Sequence, residues 1–185
     1  MKSIKKIIAV LGMVFALSSV YAEEKAKSKM PMYIKTEIGF KGGNIFNKSV
    51  SSTYATFGNI KPVFGFAPIP NLPNLSFEGY LEMSFVTAKI GFIKVDVFNF
   101  IPGAAAIWTF TPDKSWSMFA GGGFEIPIEN VNCVGVKETT TGFDLTGLVG
   151  IKTKISGNNE VMADFDVSFI SYNTWGFNAG FAHYF

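Results

Sequence analysis

Charged side chains are set into apolar stretches of this sequence at every second position. In "LSFEGYLEMSF" Glu78 and Glu82 alternate with Phe77, Leu81 and Met83; in "YIKTEIGF" Lys35 and Glu37 alternate with Ile34, Ile38 and Phe40; in "VMADFDVSFI" Asp164 and Asp166 alternate with Ala163, Phe165 and Val167. Successive side chains of a strand point to opposite faces, so each stretch gathers charge on one side and hydrocarbon on the other. Applied along the chain, this spacing puts Lys35, Glu37, Lys61, Glu78, Glu82, Lys94, Asp96, Glu125, Asp144, Lys152, Asp164 and Asp166 on a common face, eight carboxylates against four ammonium groups. Hydrated and continuous, such a set is a narrow cation-preferring path gated by exchange of Lys–carboxylate pairs. Closed on itself, it is a polar plug that braces its surroundings, and each charge must then keep a partner or water.

Other chemistries find little to work with. His183 is the single histidine, it falls on the apolar face of the last stretch, and no Ser or carboxylate lies at a spacing that would activate it. It reads as an interface residue, and no catalytic residue is expected. One His, one Cys (Cys133) and acids matched by lysines give no metal set, and no cofactor motif is present. A lone cysteine does not make a disulfide framework, and Cys133 reads as a loop thiol.

Residues 1–22 read as a secretory signal: three lysines in "MKSIKK", an eleven-residue apolar or small run in "IIAVLGMVFAL", and small side chains before a cut ahead of Glu23. Residues 23–31 are then a short periplasmic segment and 32–185 the folded domain. Without Lys2, Lys5 and Lys6 the balance becomes 13 Lys against 14 acids, with no arginine anywhere, which argues against a nucleic-acid partner.

Strands are expected at about 32–41, 57–67, 75–85, 93–110, 115–126, 142–155, 160–170 and 175–185. Pro102 and Gly103 suggest a bulge in the fourth. Turns fall at 67–74, 111–115 and 156–159; longer joints fall at 41–57, 86–92 and 127–141, and a small one at 171–174, so short and long connections alternate. No segment reaches the length of a membrane helix. Twenty Phe and three Trp are too much aromatic volume for the inside of a narrow barrel. The expected fold is therefore all-β: an eight-stranded antiparallel up-and-down transmembrane β-barrel, apolar side out, with no unpaired edge in lipid. The last strand, "TWGFNAGFAHYF", then pairs with the first and needs no tail. Trp175 marks one interface and Tyr184 or Phe185 the other.

The leader, the terminal Phe and the "GFAHYF" ending resemble the last-strand assembly signal of bacterial outer-membrane barrels, carried here by Phe177, Phe181, Tyr184 and Phe185. "NLSFEGYLEMSF" is similar to the acidic third strand of the small OmpA-like porin-family barrels, and "WSMFAGGGFEI" resembles their fifth. The sequence departs from that pattern in lacking arginine, in its Pro-rich first turn and in His183, and it has no peptidoglycan-binding domain after the barrel. The resemblance implies a monomer in the outer membrane of a Gram-negative envelope, with lipid, lipopolysaccharide (near Lys41, Lys48 and Lys89) and the barrel-assembly machinery as partners. The role it implies is structural; alternatives are an adhesin-like surface binding through the loops at 41–57 and 127–141, and a lipid A-modifying enzyme.

Overall fold

The computed structural model describes residues 32–44, 54–67, 72, 74–90, 93–110, 115–133, 135–171 and 173–185. The expected leader, the 23–31 segment and Lys48 lie outside them, as do the side chains of Lys89 and Lys94, whose strand positions are described.

Ten strand segments follow in order: β1 (Met32–Asn44), β2 (Tyr54–Phe66), β3 (Leu75–Ile90), β4 (Ile93–Thr109), β5 (Trp116–Glu125), β6 (Ile128–Cys133), β7 (Val136–Thr141), β8 (Asp144–Ser156), β9 (Asn159–Phe169) and β10 (Thr174–Tyr184). They form eight strands. Gly103↔Glu125 and Phe100↔Ile128 are each three residues apart on both chains, so β5 and β6 share one register against β4. The Ile126 N–H donates to the Pro102 carbonyl at 2.9 Å across the gap. Glu125↔Asp144 and Ile128↔Thr141 likewise make β7 and β8 one strand, joined by Gly142 N–H to Pro127 O at 2.9 Å. The breaks fall where Pro127 has no N–H to give.

Neighbouring strands pair antiparallel, β1 closes on β10 from Tyr33↔Tyr184 to Gly43↔Thr174, and β3 pairs β4. Stepping across one paired residue per strand from Met32 passes Phe66, Phe77, Ala106, Gly122, Gly147, Val167 and Trp175 and returns to β1 at Gly42, ten residues on (42 − 32). With ~3.3 Å per residue and ~4.8 Å between strands, a stagger of ten over eight strands gives a tilt of about 40° and a backbone radius of about 8 Å. That interior is just wide enough for side chains.

The outside is apolar. Ile38, Phe40, Ile60, Phe77, Phe85, Trp108, Trp116, Met118, Phe124, Val149, Ile151, Phe169, Phe177, Phe181 and Phe185 are all exposed. Aromatic contacts such as Phe40–Trp175 and Phe66–Phe77 collect toward the two ends of the cylinder, as in the girdles of membrane barrels. Together, closure and an apolar exterior make this a transmembrane β-barrel.

Three expectations are corrected. The β3–β4 ladder runs unshifted from Leu75↔Trp108 through Leu81↔Pro102 to Ile90↔Ile93, so there is no bulge at Pro102–Gly103 and most of the expected joint at 86–92 is strand. The one register shift among the described pairs is at Lys154/Ser156, before a tight turn in which Gly157 takes φ 42°. Residues 128–133 and 136–141, expected as loop, are strand. Paired with 95–100 of β4, they carry one side of the wall about 15 Å further, six residues at ~2.5 Å of axial rise. We call this projection the flap.

Candidate functional site: the sealed lumen

Alternation dictates what enters the barrel. Lys35, Glu37 and Lys41 come from β1, Asn59 and Lys61 from β2, Glu78, Tyr80, Glu82 and Ser84 from β3, and Glu125 from β5. Asp144, Thr146 and Lys152 come from β8, Glu160, Asp164, Asp166 and Ser168 from β9, and Asn178 and Tyr184 from β10. Glu37, Glu82 and Asp144 are at most 1% exposed, and Lys35, Lys41 and Lys61 at most 6%. Isolated charges at that depth would cost several kcal/mol each, so the pairing must be dense.

Three lysines are each shared between two carboxylates. The Lys35 ammonium lies 2.7 Å from Glu37 and 2.9 Å from Glu78; Lys61 lies 2.5 Å from Glu37 and 3.9 Å from Asp166; Lys41 lies 2.8 Å from Glu82 and 3.5 Å from Asp166. The chain Glu78–Lys35–Glu37–Lys61–Asp166–Lys41–Glu82 is therefore continuous. Amides and hydroxyls fill in around it. Asn178 donates to Asp164 at 2.8 Å and to Asp166 at 2.7 Å, Asn59 donates to Asn178 at 2.9 Å, and the Tyr33 hydroxyl donates to Glu78 at 2.7 Å. Glu125 accepts from the Ser168 and Tyr80 hydroxyls. A separate group sits at the short-turn end, where Lys152 is 3.3 Å from Glu160 and the Tyr184 hydroxyl donates to Glu160 at 2.6 Å.

Aromatic rings fit into this network because glycine faces them. A Cβ on Gly103 would stand 2.4 Å from the Tyr80 ring, and one on Gly65 2.0 Å from the Tyr33 ring. The notch that Gly103 supplies replaces the bulge expected there.

Among the described residues apolar clusters lie at both ends of the polar zone. Tyr33, Ala105, Ile107, Phe119, Met162 and Ala182 form the floor. Phe57, Val95 and Val97, with Val131 and Cys133 against them, form a roof under the flap. Small voids lie along the polar zone, among the described residues. One, of about 30 Å³, lies near Lys41, Ser84, Asn99, Glu125 and Asp144; another, of about 20 Å³, lies near Tyr33, Lys35, Glu78 and Tyr184. Each has room for about one water.

Ten of the twelve charged residues expected on the common face, Lys35, Glu37, Lys61, Glu78, Glu82, Glu125, Asp144, Lys152, Asp164 and Asp166, point into the barrel. Asp96 does not. It alternates with buried Val95 and Val97, so it faces outward on the flap beside Phe98. The side chain of Lys94 lies outside the described residues. Lys41, expected at the rim, is buried in the network, Glu160 lies in the separate group with Lys152, and Glu129 lines the upper void, so the described lumen sets nine carboxylates against four ammonium groups. Lys41 shares its phase with Lys35 and Glu37, and Glu160 with Asp164; only the expected strand ends hid them. Of the expected assembly signal, Phe177, Phe181 and Phe185 are exposed on the outer face, whereas Tyr184 turns inward and cannot belong to a girdle. Cys133 is a strand residue rather than a loop thiol, and it packs on the roof.

No family model matches the sequence, and no curated protein matches it. Solved structures do. Neisserial surface protein A is 16% identical with a TM-score of 0.66, the match covering 83% of this chain and 97% of that one. The outer membrane protein OprG of Pseudomonas aeruginosa is 9% identical at a TM-score of 0.59 over 83% and 95%. Ail, the attachment invasion locus protein of Yersinia pestis, is 13% identical at 0.52 over 83% and 98%. At these identities the likeness is one of fold.

Proposed function

We propose, from a chain that has the fold of the small outer-membrane β-barrels, that this protein resides in the outer membrane and serves there as a sealed, load-bearing element of the envelope. One observation carries the reading. Among the described residues the lumen is filled by a paired ionic network with apolar clusters at both ends, and the voids described along it measure about 30 and 20 Å³. A conducting path needs continuous water, and an apolar constriction opposes wetting. The cation-pore reading is correspondingly the weaker one. A non-enzymatic role is supported by His183, which contacts Asn159 at 2.8 Å and the Phe185 ring on the outer surface.

The outward Phe177, Phe181 and Phe185 suit recognition by the barrel-assembly machinery. Outward Lys137 on the flap suits a phosphate of lipopolysaccharide. A second reading, surface binding, is favoured by the flap itself, which stands clear of the membrane.

Planar-bilayer recordings on the purified protein test the main reading. No unitary current is expected from the native chain, and small steps should appear when Phe57, Val97 and Phe119 are all cut to Ala. Cation-selective steps from the native protein would overturn it. Fractionation of the envelope, with heat-modifiable migration in gels, checks the location separately.

A further inference from the structure

The barrel wall is closed, but the flap is not. Among the described residues β7 pairs with β6 alone and is the last strand of the sheet order, and all six of its residues are exposed. Its hydrogen-bonding phase follows from Gly142, whose N–H is given to Pro127 O. In an antiparallel ladder, residues that bond to one neighbour alternate with residues that bond to the other. Thr140, Glu138 and Val136 therefore bond to β6, while Thr141, Thr139 and Lys137 aim their N–H and C=O groups at the open side.

Phe143, next in that series, shows what the open side does with a partner. Its N–H donates to the Ser171 hydroxyl at 3.2 Å, and the same hydroxyl donates to its carbonyl at 2.8 Å. Ser171 also gives its N–H to Asp144 at 2.5 Å, and Ile170 before it takes φ 125°, a costly backbone for a β-branched residue. Among the described residues the loop covers the edge at Phe143 and no further, with a strained backbone at Ile170. The three residues beyond it present three donors and three acceptors in the water above the outer girdle, a template for an added strand.

We propose that this edge binds an extended segment of an extracellular protein by antiparallel strand addition. The segment carries a basic residue opposite Glu138 and an acidic residue opposite Lys137, with threonine or valine elsewhere. Charge decides the chemistry. Glu138 faces inward beside buried Glu129, so the inner surface next to the edge holds two carboxylates and, among the described residues, no ammonium group in ion-pair contact with either. Lys137 stands on the outer side of the same strand. A second copy is a poor occupant: two copies inserted the same way in one membrane are related by an axis along its normal, so their β7 strands run in the same sense and cannot pair antiparallel. The proposal rests on the flap facing outward.

The probe is a labelled synthetic peptide, Thr-Val-Thr-Arg-Glu-Val with short polar flanks, titrated by fluorescence anisotropy against the whole protein in nanodiscs. Saturable binding is expected, with about fivefold weaker binding of the Glu-Arg swapped peptide, since two cross-strand pairs turn from attractive to repulsive. Thr139→Pro removes an edge N–H that β6 does not use, and should cost at least tenfold in affinity while gel migration stays native. Glu138→Lys should lose the preference for the Arg-Glu order. Equal binding by Thr139→Pro, or no binding up to millimolar peptide, would overturn the proposal. So would a native dimer that Thr139→Pro dissolves, which would assign the edge to a second copy. Labelling of Lys137 on intact cells by an impermeant amine reagent reads the orientation apart from any peptide result.

Discussion

Below Pro127 the strand made of β5 and β6 turns Trp116, Met118 and Phe124 outward and Ser117 and Glu125 inward. Above it, Asn130 and Asn132 face out while Val131 and Cys133 face in. The backbone keeps one register throughout, so the inversion belongs to the side chains. The wall has hydrocarbon outside and a confined polar space within, whereas the flap has water outside and must cover the mouth of the barrel. One alternation thus serves two solvents. The wall gains closure and buries its charges, whereas β7 of the flap has, among the described residues, one strand partner only.

Four experiments would break or sharpen that contrast. The largest effect is expected from Lys61→Met, which breaks the ionic chain between Glu37 and Asp166 and leaves each of them a single lysine partner. Urea titration in lipid vesicles should show a loss of about 3–5 kcal/mol, as for removal of one partner from a buried ionic network. Next is a matched pair of arginines. Ala179→Arg places a cation on the lipid face between Ile38 and Ala163 and should cost about 2–4 kcal/mol, whereas Asn132→Arg on the flap should cost ~0.5 kcal/mol or less. Equal costs would mean the flap lies in the membrane after all. Gly103→Val drives a side chain into the Tyr80 ring and should cost about 1–3 kcal/mol by overpacking.

The smallest effect is a pH dependence of the flap. Burial, and then the charge of Glu138, push the Glu129 carboxyl up to about 7. A carboxyl raised in the folded state favours folding when protonated, so this contribution is full below the ordinary value of about 4.3 and is lost as pH rises toward 7. Amide exchange in β6 and β7, corrected for intrinsic rate, should therefore be faster at pH 8 than at pH 5, with the difference reduced in Glu138→Gln. An unchanged difference in Glu138→Gln would exclude Glu138 from the effect.

The β1, β3, β5 and β9 faces were legible because their alternation is clean. From Lys35, Glu37, Glu78 and Asp166 the spacing alone put ionisable groups on a shared side. Asp96 was misplaced because its segment was read as wall, where an acid belongs inside, whereas in the flap an acid belongs outside. Glu129 escapes the pattern for a different reason: its stretch reads as loop, so no face is assigned to it. Tyr184 was given to a girdle although its phase with Asn178 and Ala182 already turned it inward.

Sequence by itself determined the period of two, the phase of most strands and the excess of carboxylates over lysines, because these depend on neighbours along the chain. Tertiary structure decided which lysine meets which carboxylate, that apolar clusters lie at both ends of the polar network, and that the wall rises on one side into a flap. Those outcomes depend on the ten-residue stagger at which β1 meets β10, a relation between residues more than a hundred positions apart. No local pattern encodes that stagger; it is fixed only when all eight strands close together.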